Sequence, residues 1–327
     1  MTARSLRIGT RSSRLALWQA EHAAALIAAA RDAPPVELVH ISTTGDAQSE
    51  IPLWQAGGRA FFTREIDRAL LQGRVDIAVH SLKDLPTELD DGLTLAATLP
   101  RTDPRDALLS SSGAPLADLP AGARIGTSSL RRRALLARAR PDAKLLELRG
   151  NVPTRIERLQ RGDYDAVVLA AAGLVRLGLE AHVSEYLPPQ LFPPAVSQGV
   201  IGLVARVGDR PTLRWLVSLD DRASRLEVTA ERALLERLEG GCQVPLGALA
   251  HLADGVLALE ACVCALDGSR AVSVRGRAPA TGAGAAALAE AAALGRHLAG
   301  ELLAQGAAEL ITQERAAARA VPAVEAP

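Results

Sequence analysis

Two short apolar segments, each opened by an aspartate, constrain this chain more than any other feature: Asp76-Ile77-Ala78-Val79-His80 and Asp165-Ala166-Val167-Val168-Leu169. Apolar at consecutive positions, they read as strands buried on both faces, the habit of strands in parallel sheets. Their surroundings repeat as well. A strand at Leu6-Arg7-Ile8-Gly9, a helix from Ser13 to Ala30, a strand from Val36 to Ser42 and a helix from Thr63 to Gln72, N-capped by Thr63, precede the first. A strand at Arg124-Ile125-Gly126-Thr127, a helix from Ser129, a strand from Lys144 to Leu148 and a helix from Val152 to Gln160 precede the second. Such alternation predicts a mostly parallel sheet with helices on both faces, here twice over.

The chain is expected to cross between these two domains near residue 100 and again near 200, with Gly199 to Arg206 returning as a strand to the first. From about Asp220 the texture changes. A helix from Asp221 to Leu238 is followed by strand-like runs at 246–253, 256–264 and 271–277, then an Ala-rich helix at 284–304. The expected fold class is therefore α/β: two similar doubly wound domains plus a smaller α+β domain with an antiparallel three-stranded sheet. The expected boundaries are 1–99 with 200–218, 100–199, and 219–313, leaving 314–327 as a frayed tail.

Composition narrows the function. Of 327 residues, 48% are hydrophobic and 23% charged, enough for sizeable cores. The 37 basic and 37 acidic residues cancel, so no global field draws the protein to nucleic acid or membrane. Aromatics for base stacking are scarce at 2%. No run approaches the roughly 18 apolar residues of a membrane span. Met1-Thr2-Ala3-Arg4-Ser5 leads into a strand without a signal-peptide core, which points to the cytoplasm. Three unevenly spaced cysteines fit neither a disulfide framework nor a zinc site, and no metal is expected.

Of the 37 basic residues only Lys83 and Lys144 are lysines, leaving 35 arginines. Several arginines stand just beyond the carboxyl ends of predicted strands, where ligands bind in open α/β sheets. Gly126-Thr127-Ser128-Ser129-Leu130-Arg131-Arg132-Arg133 places hydroxyls, free N–H groups and arginines at a helix start, an arrangement suited to anions. Consecutive helical residues lie about 100° apart, so Arg131 and Arg132 are expected inward and Arg133 in solvent. Arg149-Gly150-Asn151-Val152-Pro153-Thr154-Arg155 repeats the arrangement, Arg11-Ser12-Ser13 ends the first strand in like manner, and Arg176 follows the Asp165 strand. The implied ligand is a small molecule with many carboxylates or phosphates. Each motif alone also fits a capped helix with a basic outer face.

His80-Ser81-Leu82-Lys83-Asp84-Leu85-Pro86 lies at another strand end. Among so many arginines Asp84 is the candidate acid/base group, with Lys83 beside it. Alone, it reads equally as a turn aspartate paired to Lys83, and His80 as a core histidine. The aperiodic stretch from Thr43 to Ala60 has the length of a lid or binding loop. In Leu238-Glu239-Gly240-Gly241-Cys242-Gln243-Val244-Pro245 the glycines loosen the backbone around a lone thiol and Pro245 stops the helix. Such a thiol suits covalent attachment.

Together the segments from His80 to Pro86, Gly126 to Arg132, Leu148 to Val152 and Leu238 to Pro245 resemble those of the porphobilinogen deaminase (hydroxymethylbilane synthase) family. So do Arg7 to Arg11, Ala16 to Ala20, and Pro194-Ala195-Val196-Ser197-Gln198-Gly199. The resemblance runs from residue 6 to about 310, with Ser197 standing where the family usually has glycine. It implies a cytoplasmic monomer with a dipyrromethane cofactor held as a thioether by Cys242. It also implies a transferase that condenses four porphobilinogens head to tail, with loss of ammonia, and releases hydroxymethylbilane. Asp84 would assist loss of ammonia and stabilise the positive azafulvene. Ser81, Lys83, Asp84, Thr127, Ser128, Ser129, Arg131, Arg132, Arg149, Gly150 and Arg155 would hold the cofactor. Arg11, Ser13, Gln19, Phe62, Arg149, Arg155, Arg176 and Gln198 would meet porphobilinogen and the growing polypyrrole chain, with the 43–60 loop as lid. The rival reading is a non-catalytic two-lobed binding protein for a polycarboxylate, since paired α/β domains are also the periplasmic-binding-protein-like architecture.

Overall fold

A computed structural model describes residues 5–43, 63–238 and 244–312. Cys242, Phe62, all but Thr43 of the expected lid, and the expected tail lie outside the described residues.

The first sheet contains β1 (Leu6–Thr10), β2 (Val36–His40), β3 (Ile77–Ser81), β4 (Leu93–Thr98) and β10 (Ile201–Arg206), in the order β2-β1-β3-β10-β4. The second contains β5 (Asp106–Ser110), β6 (Arg124–Gly126), β7 (Lys144–Leu146), β8 (Ala166–Ala170) and β9 (Glu185–Leu187), in the order β7-β6-β8-β5-β9. The two orders are the same plan. In each, the first three strands of the repeat pair in parallel, and a strand reached after a crossover, β10 or β5, inserts antiparallel beside the third. The sequence repeat located the parallel strands and the return strand β10. It did not locate β4, β5 and β9, which lie outside that repeat.

Alternation along buried strands feeds two apolar layers per sheet. Ile77 and Val79 of β3 pack with Ala20, Ala23 and Ile27 of α1 (Arg14–Ala28), whereas Ala78 packs with Ile66, Ala69 and Leu70 of α2 (Arg64–Leu71). Thr63 occupies the N-cap of α2 but its side chain makes no capping bond, unlike Ser13 on α1. The second sheet is covered by α3 (Leu130–Ala139) on one face and by α4 (Val152–Gln160) and α5 (Ala171–Leu177) on the other. A further helix, α6 (Arg210–Val217), lies against the first sheet.

The third sheet is antiparallel: β11 (Leu246–Ala253), β12 (Val256–Cys264) and β13 (Ala271–Pro279), packed by α7 (Arg222–Arg237) and α8 (Gly284–Ala304). Among the described residues no helix is long and apolar enough to cross a membrane.

The two crossovers between the α/β sheets touch. Thr102 donates its N–H to the Gly199 carbonyl at 3.0 Å, and a Cβ on Gly199, whose φ is +90°, would lie 2.3 Å from the Thr102 carbonyl oxygen. Glycine is required there. α7 binds both crossovers: Glu231 pairs with Arg101 at 2.8 Å and accepts the Ser197 N–H at 2.6 Å, while Glu227 pairs with Arg101 at 3.0 Å.

Ser197 itself is fully buried with a left-handed φ of +64°, and among the described residues its hydroxyl has no hydrogen-bond partner. A non-glycine residue in that conformation costs roughly 1–2 kcal/mol, and an unsatisfied buried hydroxyl adds to it. Ser197→Gly is therefore expected to raise the unfolding free energy by about 1–2 kcal/mol, read by urea denaturation. An unchanged or lowered value would show that the serine is not strained.

Candidate active site

The site is built around one buried carboxylate that sequence reading did not single out. Asp106, the first residue of β5, is fully inaccessible to solvent. Its oxygens lie 2.8 Å from Arg131 Nη1 and 2.8 Å from Arg132 Nη2. Burial alone would raise the Asp106 carboxyl, but the two guanidiniums override it and hold it below the ordinary carboxylate range. Arg131 also donates to the Pro193 carbonyl at 2.8 Å and Arg132 to that of Val168 at 2.9 Å. Arg131 and Arg132 are buried and Arg133 is exposed, as the helical spacing predicts.

Asp106 reaches the first sheet through Gln198. The Gln198 amide nitrogen donates to Asp106 Oδ1 at 2.9 Å and to the Pro104 carbonyl at 2.8 Å, and its oxygen accepts from Lys83 Nζ at 3.1 Å. Gln198 is thus committed at both ends within the protein. Lys83 precedes Asp84 in the 3-10 turn Leu82–Asp84 that ends β3. Burial, with the Arg132 charge added, pushes the Lys83 ammonium down to about 8, against the opposite pull of Asp84 and Asp106. Arg155 is pushed down to about 10 by burial and by Arg132 and Arg149, with Glu147 and Asp84 pulling the other way. Burial also lowers Arg149. The structure therefore brings Lys83, Asp84, Asp106, Arg131, Arg132, Arg149, Arg155 and Gln198 into one electrostatic cluster, with Asp84 half-buried beside it.

Local hydroxyls order the entry to α3 and α4. Ser129 is the α3 N-cap and accepts the Arg132 N–H at 3.4 Å, Thr127 Oγ1 accepts the Ser129 N–H at 3.2 Å, and the Ser128 hydroxyl donates to the Leu148 carbonyl. Gly150, at φ +106°, offers its carbonyl to Arg155 Nε at 2.7 Å.

The remaining predicted residues lie around this cluster. Ser13 caps α1, and the buried Gln19 donates to the Ser81 hydroxyl at 2.8 Å, next to the Asp84 turn. Arg11 lies close enough to buried His80 to add to the burial that pushes its imidazole down to about 4. His80 stands 3.8 Å from buried Asp67, whose carboxyl burial pushes up to about 6. Arg176 is buried against the second crossover, donating to the Gly199 carbonyl at 2.6 Å. The Nε atoms of Arg131, Arg132 and Arg176 are buried without a hydrogen-bond acceptor among the described residues. The cluster can bind a polyanion and hold one carboxylate, Asp84, against a developing positive charge.

Known proteins match this chain over nearly all of its length. Residues 6–214 match the family profile described as "Porphobilinogen deaminase, dipyromethane cofactor binding domain", and residues 225–304 match "Porphobilinogen deaminase, C-terminal domain". The porphobilinogen deaminase of Syntrophomonas wolfei is 46% identical over 95% of this chain and 99% of its own length. That of a Roseiflexus species is 49% identical over 94% of this chain and 98% of its own. Among solved structures, the periplasmic VFT2 domain of Bordetella pertussis BvgS aligns with 66% of this chain and 86% of its own at 16% identity, with a TM-score of 0.40.

Removing one partner from a buried charge network costs about 3–5 kcal/mol. Asp106→Asn is expected to lose stability of that order, read by urea denaturation. The same change removes an anion that favours the Lys83 ammonium, so Lys83, one of only two lysines, should titrate below its value of about 8. Carbon-13 lysine NMR reads this directly; a Lys83 titration unmoved by Asp106→Asn would break the coupling.

Proposed function

The chain belongs to the porphobilinogen deaminase family, and from that premise we propose that Asp84 is its catalytic group and the arginine cluster its carboxylate cradle. The activity itself is the family's: a transferase of tetrapyrrole synthesis that condenses four porphobilinogens head to tail, with loss of ammonia, on a dipyrromethane primer and releases hydroxymethylbilane. That membership sets aside the non-catalytic binding protein.

The residues present fit the primer. Each pyrrole bears an acetate and a propionate, so primer and growing chain are polycarboxylates. Lys83, Arg131, Arg132, Arg149 and Arg155 outnumber Asp84 and Asp106 in the cluster. The buried Nε atoms of Arg131 and Arg132 still want acceptors. This excess of buried and half-buried cation over carboxylate is the observation that carries the proposal. When bound through Cys242, the dipyrromethane supplies the nucleophilic pyrrole carbon on which the chain grows.

The protein's own groups divide the work. Lys83, Arg131, Arg132 and Arg155, with Arg149 shared, hold carboxylates; Thr127, Ser128, Ser129 and Gly150 shape the backbone that presents those arginines. Ser81, hydrogen-bonded to Gln19, stays with the cofactor, while Arg11, Ser13, Gln19 and Arg176 line the approach of porphobilinogen, with Phe62 assigned there on sequence alone. Gln198 positions Lys83 against Asp106. Asp84 places negative charge where the substrate becomes positive as ammonia leaves, and takes and returns the pyrrole protons. Anions held by distant cations and a cation held by a nearby anion are compatible because the two charges of the substrate lie at different atoms. The same proposal has the enzyme acting as a cytoplasmic monomer, which light scattering on the loaded protein checks for oligomeric state.

Intact-protein mass is expected to exceed the chain mass by two linked pyrroles, and Cys242→Ser should abolish the excess. Asp84→Asn should keep the excess while nearly stopping turnover. Active protein of unmodified mass would sink the tether, and normal turnover in Asp84→Asn would sink the role of Asp84.

A further inference from the structure

Helix α7 runs directly towards the segment that holds Cys242, with Leu238 the last described residue before it. A side chain of that helix reaches the turn that carries Asp84. The Arg232 guanidinium donates to the main-chain carbonyls of Leu85 at 3.4 Å, of Pro86, and of Thr87 at 3.1 Å. These are the three residues that follow Asp84. One turn earlier, Val228 is buried in the same apolar layer as Leu82 and Leu85, which flank Lys83 and Asp84.

The turn carrying Asp84 has little regular structure of its own to fix it. It is a single 3-10 turn, closed by the Leu85 N–H to the Leu82 carbonyl at 3.2 Å. Pro86 then has no N–H to offer. Three successive carbonyls instead converge on one guanidinium, whose rigid fork spans acceptors that a point charge would not.

We infer that Arg232 is a positioning residue for Asp84, locking the exit of its turn to the helix that leads to the tether. The inference rests on the catalytic reading of Asp84. It adds that the distance between the carboxylate and the tether-bearing element is set by one arginine rather than left to the turn. Misplacing a catalytic group by about 1 Å can cost as much as a hundredfold in rate, so loss of this lock acts on turnover more than on substrate binding.

The test compares Arg232→Gln and Arg232→Lys with the parent as full-length enzyme carrying its primer, the loaded fraction being fixed by intact mass. Turnover of porphobilinogen is measured per loaded chain, with KM and Tm alongside. Arg232→Gln is expected to lower kcat about tenfold or more with KM within about twofold. Arg232→Lys, which keeps the charge but loses the fork, should recover only part of that loss. A merely structural tie would lower Tm and leave kcat per loaded chain near the parent value, and that result overturns the inference. So does a raised KM with kcat intact. If Arg232→Gln does not fold, Arg232→Lys decides alone: kcat at the parent value overturns, and a fall of a few fold supports. Asp84→Asn run in parallel separates the two readings. Normal turnover there removes the catalytic assignment itself, whereas stalled Asp84→Asn with an unimpaired Arg232→Gln removes only this inference.

Discussion

The candidate active site depends on a single buried anion. Two guanidiniums on consecutive residues, Arg131 and Arg132, sit at the start of α3 with almost no solvent around them. In such surroundings their mutual repulsion would be costly, because charge interactions strengthen as the local dielectric falls. Asp106 answers both at 2.8 Å. Through Gln198 it also anchors Lys83, so the second sheet orders the residue next to Asp84 in the first. One carboxylate is fewer than the cations around it. The remaining positive charge is what a chain of acetates and propionates can satisfy.

Much of this was legible in the sequence because it is local. The repeat of strand and helix follows from runs of Ile, Ala and Val that only a doubly buried strand accommodates. The inward turn of Arg131 and Arg132 and the outward turn of Arg133 follow from the angular step of a helix. The return strand, the three antiparallel strands and the last helix were likewise local patterns. The family resemblance supplied the chemistry that local pattern alone left open between a capped helix and an anion site.

What escaped is long-range. Asp106 is an aspartate at the head of an apolar strand, and nothing near it in sequence distinguishes it from Asp76, which precedes β3 and pairs with Arg7 at 3.0 Å and Arg206 at 3.2 Å. Its role is made by Arg132, 26 positions away, and by Gln198, 92 away. Arg101 and Glu231 meet across 130 positions. Strand direction is equally invisible to hydropathy, so β5 and β10 running against their neighbours had to be seen. Ser197 marks the intermediate case. Its departure from the family's usual glycine was readable, and the positive φ that explains the glycine was not.

The third sheet does more than carry the helix that leads to Cys242. The turn after β12 docks on the outer face of α3: a Cβ on Gly268 would fall 2.4 Å from the Arg138 backbone nitrogen, and Cys264 donates its thiol to the Ala134 carbonyl at 3.6 Å. Cys264 is fully buried in the same layer as Ala134, Leu135 and Leu136. It is a core residue, which separates it chemically from Cys242. This packing covers Ala134 and Arg138 of α3, whose Arg131 and Arg132 are almost wholly buried. A dry backing strengthens each charge that faces the cleft. Burial then has opposite consequences on the two sides of the balance: it makes the arginines costly without a counter-ion and makes every carboxylate that reaches them more firmly held. Asp106 meets the first consequence permanently, and under the proposed function the polypyrrole carboxylates would exploit the second only while bound.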